Sequence, residues 1–137
     1  MSSTISLACI IDDDTMYVSL IRRIILAKNL CQNLMVFHNG KSAFDYFQVM
    51  TSSIDEKNIP EIIFLDINMP VMNGWEFLER YTSIENKLKK ASALYVVSSS
   101  INPVDINRAK NNNAVKDYIV KPVTIADLES IFSRKHN

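Results

Sequence analysis

The sequence predicts an α/β domain: a doubly wound, five-stranded parallel sheet with helices on both faces. Three observations carry this. Apolar runs of strand length alternate five times with stretches of helical periodicity. Two of those runs, "ISLACII" and "EIIFLDI", are almost continuously hydrophobic, as strands buried on both faces are. The 137 residues, 47% of them hydrophobic, suffice for one core and hardly for two.

The elements follow in order. "ISLACII" is the first strand. "TMYVSLIRRIILAKN" follows as a helix, with Met16, Leu20, Ile21, Ile24 and Ile25 recurring at helical spacing. "NLMVFHNG" is a second strand closed by the turn pair Asn39-Gly40, and "KSAFDYFQVM" is a helix with Ala43, Phe44, Phe47 and Met50 on one face. After the third strand, "EIIFLDI", a loop "NMPVMNGW" is marked by Pro70 and Asn73-Gly74, and "EFLERYTSI" forms the third helix. "ALYVVSSS" is the fourth strand. Asn102 can cap the next helix, with Pro103 at its first position and Asp105 near its positive end. "AVKDYIV" is the fifth strand, and Thr124 with Asp127 three residues on makes a capping-box pattern for the last helix, "TIADLESIF".

Composition excludes several functions. Fifteen basic residues balance 15 acidic ones, which gives no reason to expect nucleic acid or an anionic membrane as the main partner. Lys87, Lys89 and Lys90 read as a solvated surface. No apolar run approaches the roughly 20 residues needed to span a bilayer. The N-terminus lacks the basic start of a signal or transit peptide. Cys9 and Cys31 belong to no metal or redox motif, so two buried, reduced thiols and a cytoplasmic location are expected. His38 and His136 have no companion ligands and are expected to be solvated. Trp75 is expected to pack the third helix.

Parallel α/β sheets bind their ligands beyond the carboxyl ends of the strands. After strand one stand Asp12, Asp13 and Asp14; after strand three, Asp66 and then Asn68; after strand four, Ser98; after strand five, Lys121. Carboxylates, a hydroxyl and an ammonium thus converge on one sheet edge. Like charges so close need a cation or a proton. Hard oxygen ligands spread over different strands suit Mg²⁺. A carboxylate beside such an ion can attack a phosphoryl group and form an acyl phosphate, and metal, ammonium and hydroxyl are the stabilisers this needs. Asp14 reads instead as a helix N-terminal carboxylate favoured by the dipole.

Four segments resemble the receiver domain of two-component response regulators, in order and along almost the whole chain: "CIIDDD", "IIFLDINMPVMNGWEFL", "LYVVSSS" and "DYIVKP". The resemblance implies a flavodoxin-like sheet of order 2-1-3-4-5 with five helices, as a stand-alone domain over residues 1–137 with its core at about 5–133. It implies Asp66 as phosphoacceptor. Asp13 would bind Mg²⁺ directly, Asp12 mainly through water, and Asn68 through its backbone carbonyl. Ser98 and Lys121 would each hold a phosphoryl oxygen, and Tyr118 would change rotamer when Ser98 is drawn inward. The phosphoryl donor would be a histidine kinase or histidine phosphotransfer protein. The 15 residues after Pro122 leave room for a helix and a tail, so output is expected through another protein, from a monomer or a phosphorylation-dependent dimer. The domain would catalyse only its own phosphorylation and dephosphorylation.

Two features depart from the family. The family's usual Gly-Ala before strand five is replaced by "NNNAVKDY", where Asn113 can adopt the left-handed conformation. The segment "ENKLKKASA" is long and predicts an extended surface loop. Two rival functions remain. "IIDDDT" also fits a haloacid-dehalogenase-type phosphatase with Asp12 as nucleophile and Asp14 as acid/base, though that leaves Asp66 unexplained. A pseudo-receiver that is never phosphorylated usually lacks one of the site groups, all of which are present here.

Overall fold

A computed structural model describes residues 5–53, 55–69 and 71–134. Strands β1 (Leu7–Ile11), β2 (Asn33–Phe37), β3 (Ile62–Leu65), β4 (Ala93–Ser98) and β5 (Val115–Val120) alternate with helices α1 (Thr15–Ala27), α2 (Gly40–Met50), α3 (Gly74–Ile84), α4 (Pro103–Lys110) and α5 (Ile125–Ser133). The sheet order is β2-β1-β3-β4-β5, every pair parallel. This is the expected doubly wound, flavodoxin-like architecture. Short 3₁₀ turns at Glu56–Asn58 and Glu85–Lys87 fill the connections into β3 and β4. Among the described residues no helix is long and apolar enough to cross a membrane.

The central strands β1, β3 and β4 are buried along their full length, which explains their nearly unbroken hydrophobicity. Successive side chains point to opposite faces and divide the interior into two cores. Cys9, Ile11, Ile63 and Leu65 join Phe47 of α2 and Phe77, Leu78 and Tyr81 of α3 on one face. Ala8, Ile10, Ile62 and Phe64 join Ile21 and Ile25 of α1 and Leu128, Ile131 and Phe132 of α5 on the other. Both cysteines are buried free thiols, as expected.

Helix starts depart from expectation in an instructive way. Neither Asn-Gly pair is a free turn. Asn39 caps α2 by accepting the Ser42 N–H at 2.8 Å. Asn73 caps α3 in a reciprocal box with Glu76, the two bonds measuring 2.9 and 3.1 Å. Each glycine is then the first helical residue. The Asn102, Pro103 and Thr124–Asp127 signals do act as read. Asn73→Ala is expected to lower stability by about 1 kcal/mol, the usual value of an N-cap; a urea midpoint equal to that of the native chain would remove the cap from the account.

Three further expectations are corrected. In α1 the buried stripe is Val18, Ile21 and Ile25, with Ile24 half-buried, while Met16 and Leu20 are exposed. Periodicity locates a stripe but not its phase within one residue. Asn113 is not left-handed: among described non-glycine residues only Asn29 and Val71 have positive φ. The turn before β5 is closed instead by the Asn112 side chain, which accepts the Ala114 N–H at 2.9 Å, and by the Val115 N–H bonding to the Asn112 carbonyl. His38 is exposed but not merely solvated, since its Nδ1 lies 3.2 Å from the Asp12 carbonyl oxygen. His136 and Pro70 lie outside the described residues.

Candidate functional site

Strand register assembles the site. Ile11 of β1 pairs with Leu65 of β3, so Asp12 and Asp66 emerge side by side one residue later. The Asp66 N–H bonds to the Ile11 carbonyl at 2.9 Å, and the Asp12 N–H to that of Phe37, holding both backbones at the sheet edge. Ser98 pairs with Val120, and the Lys121 N–H bonds to the Ser98 carbonyl at 2.8 Å. A register shift between Leu94 and Tyr95 places Lys116 outside the paired ladder of β5. Strand-end chemistry on four strands therefore meets through backbone pairing alone.

Asp12, Asp13 and Asp66 each offer a carboxylate oxygen within 4.8 Å of the others. Asp12 and Asp66 are buried and Asp13 is exposed. Lys121 Nζ lies 2.9 Å from Asp12 Oδ2 and 3.7 Å from Asp66 Oδ2. The remaining oxygens are partly occupied: Asp12 Oδ1 accepts the Asp14 N–H at 2.9 Å, and Asp66 Oδ1 accepts the Asn68 N–H at 3.1 Å. Burial pushes the Asp66 pKa up from 3.8 to about 6. The Asn68 N–H and the Lys121 ammonium pull the other way, and the Asp12 and Asp13 charges add to the rise. One ammonium facing three carboxylates leaves the cluster short of positive charge. The donor set is all hard oxygen with one open, solvent-facing member, which fits a small divalent cation that keeps several waters.

The other expected residues are placed as follows. Ser98 is fully buried, Ser99 is exposed, and Ser100 is half-buried. The Ser98 hydroxyl accepts the Ser100 N–H at 3.1 Å. Ser100 in turn donates its own hydroxyl to Asp105 at 2.7 Å. Tyr118 is half-buried against the α2–α3 core and donates its hydroxyl to the Ser100 carbonyl at 2.8 Å. Asn68 is exposed. Asp14 lies outside the carboxylate cluster: it is the N-cap of α1 and accepts the Tyr17 N–H. Trp75, half-buried against the core, carries the Arg108 guanidinium 4.5 Å over its ring, a link between α3 and α4. One site residue escaped the sequence reading. The Tyr17 ring lies 4.2 Å from Lys121 Nζ. Its place in the first turn of α1, three residues after the cap, was the available signal.

An acidic cluster and a lysine thus gather at the carboxyl edge of a parallel α/β sheet, the place where folds of this class bind their ligands. The response regulator receiver domain model matches residues 8–133, and the chain belongs to that family. It is similar to a two-component response regulator from Cytophaga hutchinsonii, with a TM-score of 0.82 and 28% identity over 93% of this chain and 94% of that one. A two-component response regulator of Oryza sativa is 37% identical over 79 residues, 58% of this chain but only 51% of that protein, about half its length. The receiver domain of a sensor histidine kinase from Pseudomonas aeruginosa, solved with a magnesium ion coordinated in its active site cleft, shares the fold at a TM-score of 0.71. There the identity is 15% over 98% of this chain and 97% of that one.

Proposed function

We propose that the chain acts as a cytoplasmic response regulator receiver that takes a phosphoryl group on Asp66 from a histidine kinase or histidine phosphotransfer protein. The observation carrying this is the buried Asp66 carboxylate, held between the Asp12 and Asp13 carboxylates and the Lys121 ammonium. An oxygen of Asp66 attacks phosphorus, the bond from phosphorus to the donor's imidazole nitrogen breaks, and the electron pair leaves with the imidazole. Asp66 with a pKa of about 6 is mostly ionised at pH 7, so no base is needed. Asp12, Asp13, Asp66 and the Asn68 carbonyl would hold Mg²⁺, which supplies charge stabilisation to the phosphoryl oxygens. Lys121 neutralises another of those oxygens.

Ser98 is the natural sensor. Its hydroxyl accepts a bond from the Ser100 N–H, and Ser100 bonds Tyr118 and Asp105. Drawing the Ser98 hydroxyl toward a phosphoryl oxygen breaks that contact, moves Tyr118 and shifts the population of the face built by α4, β5 and α5. That face would signal to an output protein or to a second copy. A haloacid-dehalogenase-type phosphatase fits less well, because Asp14 is engaged as a helix cap rather than set in the cluster.

Incubation with acetyl phosphate and Mg²⁺ is expected to add one base-labile phosphate by intact mass, and none without Mg²⁺ or in Asp66→Asn. An adduct that persists in Asp66→Asn would assign the chemistry elsewhere. No adduct on the native chain would make this a pseudo-receiver.

A further inference from the structure

We infer that Tyr17 is a positioning residue for phosphoryl acceptance: its ring face holds the Lys121 ammonium inside the acidic site while that ammonium moves from Asp12 to an incoming phosphoryl oxygen. The inference rests on Asp66 being the acceptor.

Three contacts surround Lys121 Nζ: Asp12 Oδ2 at 2.9 Å, Asp66 Oδ2 at 3.7 Å and the Tyr17 ring centroid at 4.2 Å. The lysine side chain is only 16% exposed. The tyrosine is fixed from two directions. Its backbone N–H bonds to the Asp14 cap at 3.1 Å, which anchors Tyr17 in the first turn of α1. The ring also packs against the α1–α5 core. Burial, and then the Asp12, Asp66 and Asp14 carboxylates, push the phenol above its ordinary 10, so the ring meets the ammonium as a neutral phenol.

The physical consequence follows from how a ring binds a cation. Asp12 as a partner fixes the ammonium by a directed bond. Water as a partner would have to be stripped when the phosphoryl group arrives. A ring face attracts the ammonium through its quadrupole without demanding one direction, so the ammonium can slide across it and stay dehydrated. With acetyl phosphate, an Asp66 oxygen bonds phosphorus, the bond from phosphorus to the acetate oxygen breaks, and the pair leaves with acetate. Lys121 transfers no proton and only follows the charge. If the ring holds the ammonium more firmly once it has left Asp12, losing the contact is expected to slow the step about tenfold.

The test compares Tyr17→Phe and Tyr17→Leu, alone and with Lys121→Met, by initial phosphorylation rate with acetyl phosphate and Mg²⁺. Urea midpoints check that each variant is folded. Tyr17→Phe is expected within about twofold of the native rate and Tyr17→Leu about tenfold slower. In the Lys121→Met background Tyr17→Leu is expected to change nothing more. A second readout needs no phosphorylation and no variant: in the native chain the Lys121 methylene protons beside Nζ should resonate upfield from the ring current. Any of four results overturns the inference: a native rate in Tyr17→Leu, an equal loss on the Lys121→Met background, a Tyr17→Phe as slow as Tyr17→Leu, or no upfield shift. No adduct on the native chain removes the Asp66 reading and this one with it. A normal native rate that Tyr17→Leu preserves removes this one alone.

Discussion

Alanine at position 74 is expected to destabilise the fold by about 3 kcal/mol and to slow phosphoryl uptake as well, although it adds only one methyl group. A Cβ built there would lie 2.4 Å from the Asp66 carbonyl oxygen, 2.5 Å from Ile67 Cα and 3.0 Å from the Asp66 carbonyl carbon. All three are backbone atoms, so no rotamer change can relieve the contact. The segment that must move carries the proposed phosphoacceptor. The Gly74 N–H also bonds to the Ile67 carbonyl at 3.1 Å, tying the start of α3 to the chain just after β3. Alanine's better helix propensity offsets about 1 kcal/mol of the strain, which is too little to reverse the sign. The glycine's φ is not positive, so room and not backbone freedom is what position 74 requires. Urea unfolding with the Asn73→Ala chain as a comparison tests this. A Gly74→Ala chain as stable as the native one, phosphorylated at the native rate, would mean that the loop yields freely.

The chain's other glycine repeats the arrangement. A Cβ at Gly40 would meet the Met72 carbonyl oxygen at 2.6 Å. Both glycines follow a capping asparagine, and both press on the connection between β3 and α3. In sequence the Asn-Gly pairs carry only the turn preference of the dipeptide. What distinguishes a cap from a turn is whether a helix follows, and what demands glycine is a neighbour distant in sequence. Long-range constraints of this kind are illegible locally. The fold itself was legible, because buried parallel strands need nearly continuous hydrophobic runs, and "ISLACII" and "EIIFLDI" have no other use for them. The gathering of Asp12, Asp13, Asp66 and Lys121 was legible for a related reason: in a parallel sheet all strands end at one edge, so strand-end residues meet whatever lies between them. The exposure of Met16 and Leu20 was not legible, since helical spacing leaves the phase of α1 open by one residue, and the first-turn place of Tyr17 was a signal that only the fifth strand's Lys121 gives a meaning. The left-handed positions were misplaced for a different reason. Val71, a β-branched residue with φ of 71°, is one that propensity would exclude, and it sits in the loop between Asp66 and Gly74. Strain at that position accords with a loop shaped by its site more than by its own residues.

Asp66→Asn is expected to abolish phosphorylation and at the same time to stabilise the metal-free protein at neutral pH by about 2–3 kcal/mol. The sign follows from the direction of the shift. Burial, with the Asp12 and Asp13 charges, lifts the folded pKa from 3.8 to about 6. Between those values the native state binds more protons than the unfolded chain, so the Asp66 contribution to stability falls as pH rises through that window and is at its lowest above about pH 6. Asparagine does not titrate and still offers an oxygen to the Asn68 N–H. The gain over the native chain should therefore be near zero at about pH 4 and full at about pH 7, with EDTA present. Mg²⁺ should narrow it, because an ion that binds only the folded native site stabilises that chain by mass action and Asp66→Asn less. Urea midpoints at the two pH values, with EDTA and with Mg²⁺, decide the matter. A gain independent of pH would place its origin in packing and not in charge. A gain that grows with pH would instead make the Asp66 carboxylate a stability cost that the fold carries until a cation or a phosphoryl group arrives, offset by the two core clusters that flank the sheet.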